Sequence, residues 1–180
     1  VDALLNAAGG NMPGATIAPT GTFFDLKVDE FQKVLNLNLT GTVLPTQVFL
    51  KPMVEQKKGA IVNFSSMAAF RPMTRVCGYA AAKAGISNFT AFMAHEVATK
   101  FGEGIRVNAI CPGPTMGTEL TKNSLSTNPH EEAMLKEHVI PMKKLATTQE
   151  VVNAVLWLSS DQASHTTGQK LFIDGGMHIA

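Results

Sequence analysis

The sequence has little of what would tie a chain to a disulfide scaffold, a membrane, a metal ion or a nucleic acid. Its two cysteines, Cys77 and Cys111, are isolated from one another, and lone thiols suit a reducing compartment better than a cross-linked framework. Charged residues make up 16% and balance to a net +1, with no basic stretch that would leave an electrostatic footprint for nucleic acid. The apolar-rich stretches are broken by glycine, proline or polar residues, so none reads as a membrane span. No basic-then-apolar signal opens the chain. The five histidines show no paired spacing with cysteine or carboxylate, so no metal site is expected. Asn-x-Ser/Thr occurs at Asn38, Asn63 and Asn88, and all three are expected inside the fold rather than at glycosylated loops. What remains is a chain of 180 residues, 45% apolar, read as one cytoplasmic domain spanning 1–180 with a sizeable core.

Four short apolar runs punctuate that domain. Val1 to Asn6 ends in Ala7-Ala8-Gly9-Gly10, Ala60 to Phe64 in Ser65-Ser66, Ile105 to Ile110 in Pro112-Gly113, and Lys170 to Asp174 in Gly175-Gly176. Between them lie helical patterns. Asp29 is placed to cap a long helix carrying Phe31, Val34, Leu35, Leu37, Leu39, Val43 and Val48 into a core. A second helix runs from about Gly78 to Phe101 with Ile86, Phe89, Met93 and Val97 at helical spacing. From Pro114 to Thr147 periodicity is lost, apart from a short helix that Asn128-Pro129-x-Glu131 could cap. Thr147-x-x-Glu150 is a capping box for a last helix through Leu158. Strands alternating with helices imply an α/β fold, a parallel sheet covered on both faces. In such sheets ligands bind beyond the carboxyl ends of the strands.

Tyr79 is the sole tyrosine, and Lys83 follows it by one helical turn. That spacing puts both on one helix face, where an ammonium can favour phenolate and tune a general acid/base. Ser66, just after a strand, could hydrogen-bond a reacting oxygen. A surface Tyr–Lys neighbour pair is the bland reading, and Tyr-x-x-x-Lys alone is weak, but the added serine strengthens it. Elsewhere bland readings prevail. His95 and His165 suit solvated or capping roles, Cys77 a packing role, and Lys143-Lys144 a solvated face. Met116, Met134 and Met142 suit ordinary packing and a pocket lining equally.

Ser66, Tyr79 and Lys83 in this spacing resemble the active-site signature of the short-chain dehydrogenase/reductase family. Asn6-Ala7-Ala8-Gly9 is similar to the family's Asn-Asn-Ala-Gly segment, with Ala7 in place of the second asparagine. Asn38 in Asn-Leu-Thr-Gly resembles the fourth catalytic member, and Pro112-Gly113, Thr167-Gly168-Gln169 and Asp174-Gly175-Gly176 fall in the family's order. The resemblance implies a Rossmann-like doubly wound sheet and a hydride-transferring oxidoreductase using NAD or NADP, with NAD favoured. It implies Tyr79 as proton donor or acceptor, Lys83 as its electrostatic partner and a ribose ligand, and Ser66 as the group that orients the substrate oxygen. Asn38 is expected to shape its helix and support a proton relay. Asn6 and Gly9 are expected along the adenosine side of the cofactor, and Pro112, Gly113 and Thr115 beside the nicotinamide. A homodimer or homotetramer follows from the family's habit of packing the Tyr-bearing helix between subunits. The cluster Ala80-Ala81-Ala82-Ala84-Gly85 would allow that close approach.

The family fold opens with a strand and a Thr-Gly-x-x-x-Gly-x-Gly loop, and nothing in residues 1–180 fits that loop. The expectation is therefore a catalytic C-terminal part lacking three strand–helix units, with the choice between NAD and NADP unreadable. Three readings stay open: an active reductase, a truncated non-catalytic oligomerisation or binding module, and a relative from the epimerase and dehydratase branch. The short segment ending in Asp174-Gly175-Gly176 argues against the third. Residues 7–16 and 66–70 further resemble the mannonate (fructuronate-reducing) oxidoreductases of the family. A sugar acid or polyol is the implied small-molecule substrate, with Asn11, Thr16 and Arg71 at the site mouth and Arg71 available to a carboxylate.

Overall fold

The short apolar runs become parallel strands; those at 59–64 and 105–112 are almost wholly buried, while those at 3–6 and 170–173, at the two sides of the sheet, stay partly exposed. The computed structural model describes residues 1–72, 75–118, 121 and 129–180, with the backbone alone at 129–132 and 134. Strands β1 (Ala3–Asn6), β2 (Gly59–Phe64), β3 (Ile105–Pro112) and β4 (Lys170–Ile173) form one sheet in that spatial order. All pairs are parallel; Leu4 stands beside Ile61, and Val62 beside Asn108. Between β1 and β2 come α1 (Val28–Leu35), a π-helical turn (Asn36–Thr40) and α2 (Gly41–Gln56). Helix α3 (Cys77–Phe101) joins β2 to β3, and α4 (Pro129–His138) and α5 (Thr148–Ser159) lie between β3 and β4.

Successive strand residues point to opposite faces. Ile61 and Val107 pack with Met53, Met93 and Val97 from α2 and α3, while Val62 and Ile110 pack with Val151, Val155 and Leu158 from α5. Each fully buried side chain of this size contributes roughly 1.5–3 kcal/mol relative to exposure. A third cluster, Met67 with Ile140, Leu145 and Met177, brings the turn after β2 against the C-terminal turn. This is the Rossmann-like α/β architecture expected. Among the described residues, no helix is long and apolar enough to cross a membrane. None of their His, Cys, Asp and Glu gather in a group that could hold a metal.

The first helix departs from expectation in two ways. Asp29 is not its cap: the helix begins after Lys27 without a side-chain cap, and Asp29 sits in the first turn. The buried face also changes character. Leu37 is 38% exposed and Val48 60% exposed, whereas Asn38, Thr42 and Thr46 are buried. The cause is the π-turn, which inserts a residue into the helical repeat and rotates everything beyond it relative to a 3.6-residue stripe. The buried hydroxyls are satisfied locally, Thr42 Oγ1 donating to the Asn38 carbonyl at 2.9 Å and Thr46 Oγ1 to the Thr42 carbonyl at 2.8 Å.

The small-residue cluster on α3 is likewise spent partly within the subunit. Gly85 faces Leu39, whose methyl carbons would lie 3.1 and 3.3 Å from an added Cβ. Ala82 is fully buried, and of the cluster Ala81 and Ala84 stay exposed. The Thr147–Glu150 capping box of α5 is present with both of its hydrogen bonds. Asn128 of the proposed α4 cap and the Met134 side chain lie outside the described residues.

Candidate active site

The carboxyl ends of β1 and β2 and the first turns of α3 bring the candidate side chains together. Ser66 follows β2 in extended conformation and caps a short 3-10 turn, Met67–Ala69, its Oγ accepting from the Ala68 N–H at 3.1 Å. Tyr79 and Lys83 stand one turn apart near the start of α3, the Lys83 Nζ 5.4 Å from the centre of the Tyr79 ring. Lys83 is buried and donates to the Phe64 carbonyl at 2.7 Å, which ties the ammonium to the strand that delivers Ser66. Ser65 secures the same junction, donating to the Lys83 carbonyl at 2.9 Å and lying 2.6 Å from Ser87 Oγ.

Burial governs the ionisation of the pair. It pushes the Tyr79 phenol above its ordinary value of 10.0, opposed by a hydrogen bond with Ser66. Burial also draws Lys83 down from 10.5 to about 8. The group that opposes the burial of the phenol is thus Ser66, where the sequence points to the ammonium. Cys111, on β3 beyond Ser65, is pushed up to about 11, chiefly by burial, so its thiol stays protonated and unreactive.

Asn38 occupies the π-turn and is fully buried. Its Oδ1 accepts from Gly10 N at 3.1 Å, and its Nδ2 donates to the Gly10 and Val34 carbonyls at 2.7 and 2.8 Å. The amide thus fastens the loop after β1 to the helix opposite. Gly9 lies within that fastening. Asn6, by contrast, turns into the sheet face, its Nδ2 donating to Thr46 Oγ1 at 2.9 Å and Asn63 Oδ1 at 2.8 Å. Asn63 in turn donates to Thr90 Oγ1 at 2.9 Å, completing a buried polar file from α2 across β1 and β2 to α3. With Ala7 at the family's second asparagine, Asn6 and Asn63 do the bracing between these strands.

Pro112, Gly113 and Thr115 lie further along the same edge of the sheet. Gly113 must be glycine because an added Cβ would lie 2.9 Å from the Asp174 backbone, and its N–H donates to the Ile173 carbonyl at 3.0 Å. Thr115 is buried and donates to the Gly113 carbonyl at 3.0 Å. Arg71, expected at the site mouth, donates instead to the Met177 carbonyl at 2.7 Å. A concavity of about 400 Å³ lined by Lys144, Glu150, Phe172, Asp174 and His178, among others, contains none of Asn38, Ser66, Tyr79 and Lys83. The residues present fit the nicotinamide end of a dinucleotide: Lys83 uses one hydrogen bond on Phe64, leaving N–H groups for ribose hydroxyls.

Several partners escaped the sequence. Gly10, the Phe64 carbonyl and the Ser65–Ser87 pair act through backbone or contacts far apart in the chain. The recurrence of Thr42 and Thr46 four and eight residues after Asn38 was the one available signal.

A family model described as enoyl-(acyl carrier protein) reductase matches residues 1–178. The uncharacterized oxidoreductase UxuB of Bacillus subtilis (strain 168) is 38% identical over 98% of this chain and 66% of its own length. Glucose 1-dehydrogenase 2 of the same organism is 35% identical over 99% of this chain and 65% of its own. A crystal structure of a 3-oxoacyl-[acyl-carrier protein] reductase with bound NAD from Brucella melitensis superposes with a TM-score of 0.82 at 32% identity, covering 99% of this chain and 63% of that one. The chain spans about two thirds of the length of the curated relatives it matches.

Proposed function

This chain belongs to the short-chain dehydrogenase/reductase family, and from that membership we propose that it is the catalytic part of an oxidoreductase that interconverts a carbonyl and a secondary alcohol with NAD or NADP. The observation that carries the proposal is the convergence of Ser66, Tyr79 and Lys83 at the carboxyl end of β2 and the start of α3, with the ammonium 5.4 Å from the phenol ring. When bound, the nicotinamide supplies or takes up the hydride. The protein's own residues handle the proton and the geometry. Ser66 orients the substrate oxygen, and Tyr79 gives it a proton in reduction and removes one in oxidation. Lys83 sets the charge beside the phenol and holds the ribose hydroxyls. Asn38 fixes the β1 loop behind them, and Pro112, Gly113 and Thr115 wall the nicotinamide side. Asn6 acts from beneath, through the polar file, and Gly9 forms the floor between Asn38 and Lys83.

In the full-length enzyme, replacing Tyr79 with Phe should cut turnover by about 10²- to 10⁴-fold, the usual worth of a positioned proton donor, with cofactor affinity little changed. Lys83→Met should impair both. Near-normal turnover by Tyr79→Phe in steady-state assays would refute the assignment.

For the substrate we favour a polyhydroxylated compound, a sugar acid or polyol. The likeness to a glucose dehydrogenase supports this reading. So does Asn11, whose Nδ2 donates to Thr16 Oγ1 at 2.7 Å while its buried Oδ1 accepts no hydrogen bond, leaving an acceptor for a hydroxyl. The 3-oxoacyl reductase likeness favours thioesters instead. A substrate panel separates the two: turnover of acyl thioesters but of no sugar acid or polyol rejects the polyol reading. Apolar residues exposed on α2 (Leu44, Val48, Phe49) and α3 (Phe92) support a homodimer or homotetramer built on those helices.

A further inference from the structure

We propose that Gly9 is a positioning residue for the reaction put forward above: the side chain it lacks is the clearance that lets the Asn38 amide and the Lys83 ammonium close on one stretch of backbone. The inference rests on the oxidoreductase reading, but the geometry behind it does not. A Cβ built on Gly9 would lie 2.6 Å from Asn38 Oδ1, 3.5 Å from Asn38 Cγ and 3.2 Å from Lys83 Nζ. Gly9 has no positive φ, so the backbone would accept any residue, and the exclusion comes from its neighbours alone.

Neither neighbour can yield freely. The Asn38 amide is fully buried and tied at both ends, to Gly10 N–H through Oδ1 and to the Gly10 and Val34 carbonyls through Nδ2. Moving Oδ1 away from a methyl group strips the half-buried Gly10 N–H of its acceptor, at the cost of a hydrogen bond. The Lys83 ammonium is held on the Phe64 carbonyl at 2.7 Å, beside Tyr79. A methyl group at Gly9 must therefore displace the Asn38 amide, 2.6 Å away, while it only crowds the Lys83 ammonium at 3.2 Å. Gly10 makes the contrast, since its added Cβ would meet Leu37 Cδ2 at 3.8 Å, an ordinary contact.

The test compares Gly9→Ala, Gly10→Ala, Asn38→Ala and Gly9→Ala/Asn38→Ala in the purified full-length protein. Amide hydrogen exchange at residue 10 reads the clearance without any assay of activity. Gly9→Ala should speed that exchange by about tenfold, as expected when one hydrogen bond is lost, while Gly10→Ala keeps its N–H protected. In turnover assays Gly9→Ala should lower kcat by about 10- to 100-fold, the scale of an ångström-sized misplacement, with KM for the carbonyl substrate nearly unchanged. In the Asn38→Ala background the methyl group fits the vacated space, so Gly9→Ala should cost within about twofold of nothing. Unchanged exchange in a folded Gly9→Ala overturns the proposal, as do equal kcat losses in both backgrounds. Should Gly9→Ala fail to fold, a folded double variant supports the clearance and an unfolded one overturns it. Absence of turnover in the unsubstituted full-length protein defeats the oxidoreductase reading and the positioning role with it, while the exchange result still decides whether the clearance is real.

Discussion

Lys83 shows what a single buried side chain can decide. Burial lowers it from 10.5 to about 8, while burial raises Tyr79 above 10.0. The phenol therefore keeps its proton across the pH range in which the ammonium loses its own. Carbonyl reduction that depends on the cation should fall as pH rises through about 8, and that limb belongs to Lys83. Replacing Lys83 with Arg, which stays protonated throughout, should remove the limb even though it lowers the plateau. The measurement is kcat/KM for reduction as a function of pH in both proteins, and a limb that persists unmoved in the arginine variant rules out this origin. The sign for stability is opposite. Between about 8 and 10.5 the unfolded chain holds this proton more tightly than the folded one, so this group adds stability as pH rises across that window.

At the scale of elements, the site depends on how closely α1 and the π-turn approach α3. Phe31 packs over Gly78, one residue before Tyr79, and an added Cβ there would lie 2.9 Å from the ring. Gly78→Ala should therefore destabilise by about 1–3 kcal/mol through overpacking, although alanine is the better helix former. In a Phe31→Ala background the same substitution should reverse sign and stabilise by up to about 1 kcal/mol, the propensity difference alone. Denaturant unfolding of the four proteins checks this, and a loss equal in both backgrounds would place the cost elsewhere than the ring. The same region marks where the sequence stopped being legible. Strands β1 to β4, helix α3 and the Thr147–Glu150 cap could be read because periodicity and end signals are local. Ser66, Tyr79 and Lys83 could be read because one strand end and one helix fix their spacing. The π-turn could not: nothing in Asn36-Leu37-Asn38-Leu39-Thr40 announces an extra residue in the repeat, so the pattern points Leu37 and Val48 into the core in place of Thr42 and Thr46. The pairing of Asn38 with Gly10, 28 residues apart, and of Arg71 with Met177, 106 apart, depends on packing that no local pattern encodes.

At the scale of the whole molecule, the two edges of the sheet are unequal. Helix α5 packs on β2, β3 and β4, so the face of β1 that continues from Val62 is poorly covered. Leu5, beside Val62 in register, is 48% exposed there, and Ala3 on the same face is exposed too. No described strand pairs with the outer edge of β1, which leaves a row of N–H and C=O groups beside an apolar surface. Such an edge is a template for pairing with another chain. Residues 1–180 prepared alone should accordingly associate, sedimenting above the 19.2 kDa of one chain. Leu5→Lys should suppress that association, because an inward-leaning charge beside an open edge opposes pairing, and Leu5 is exposed enough for lysine to reach water. Val48→Glu probes the competing route through the exposed face of α2, where Leu44 and Phe49 are also uncovered. Sedimentation equilibrium of the three proteins separates the routes. Loss of association in Leu5→Lys alone assigns it to the β1 edge, and loss in Val48→Glu alone assigns it to the α2 face. A soluble monomer at micromolar concentration in the unsubstituted chain would show that the bare edge is harmless.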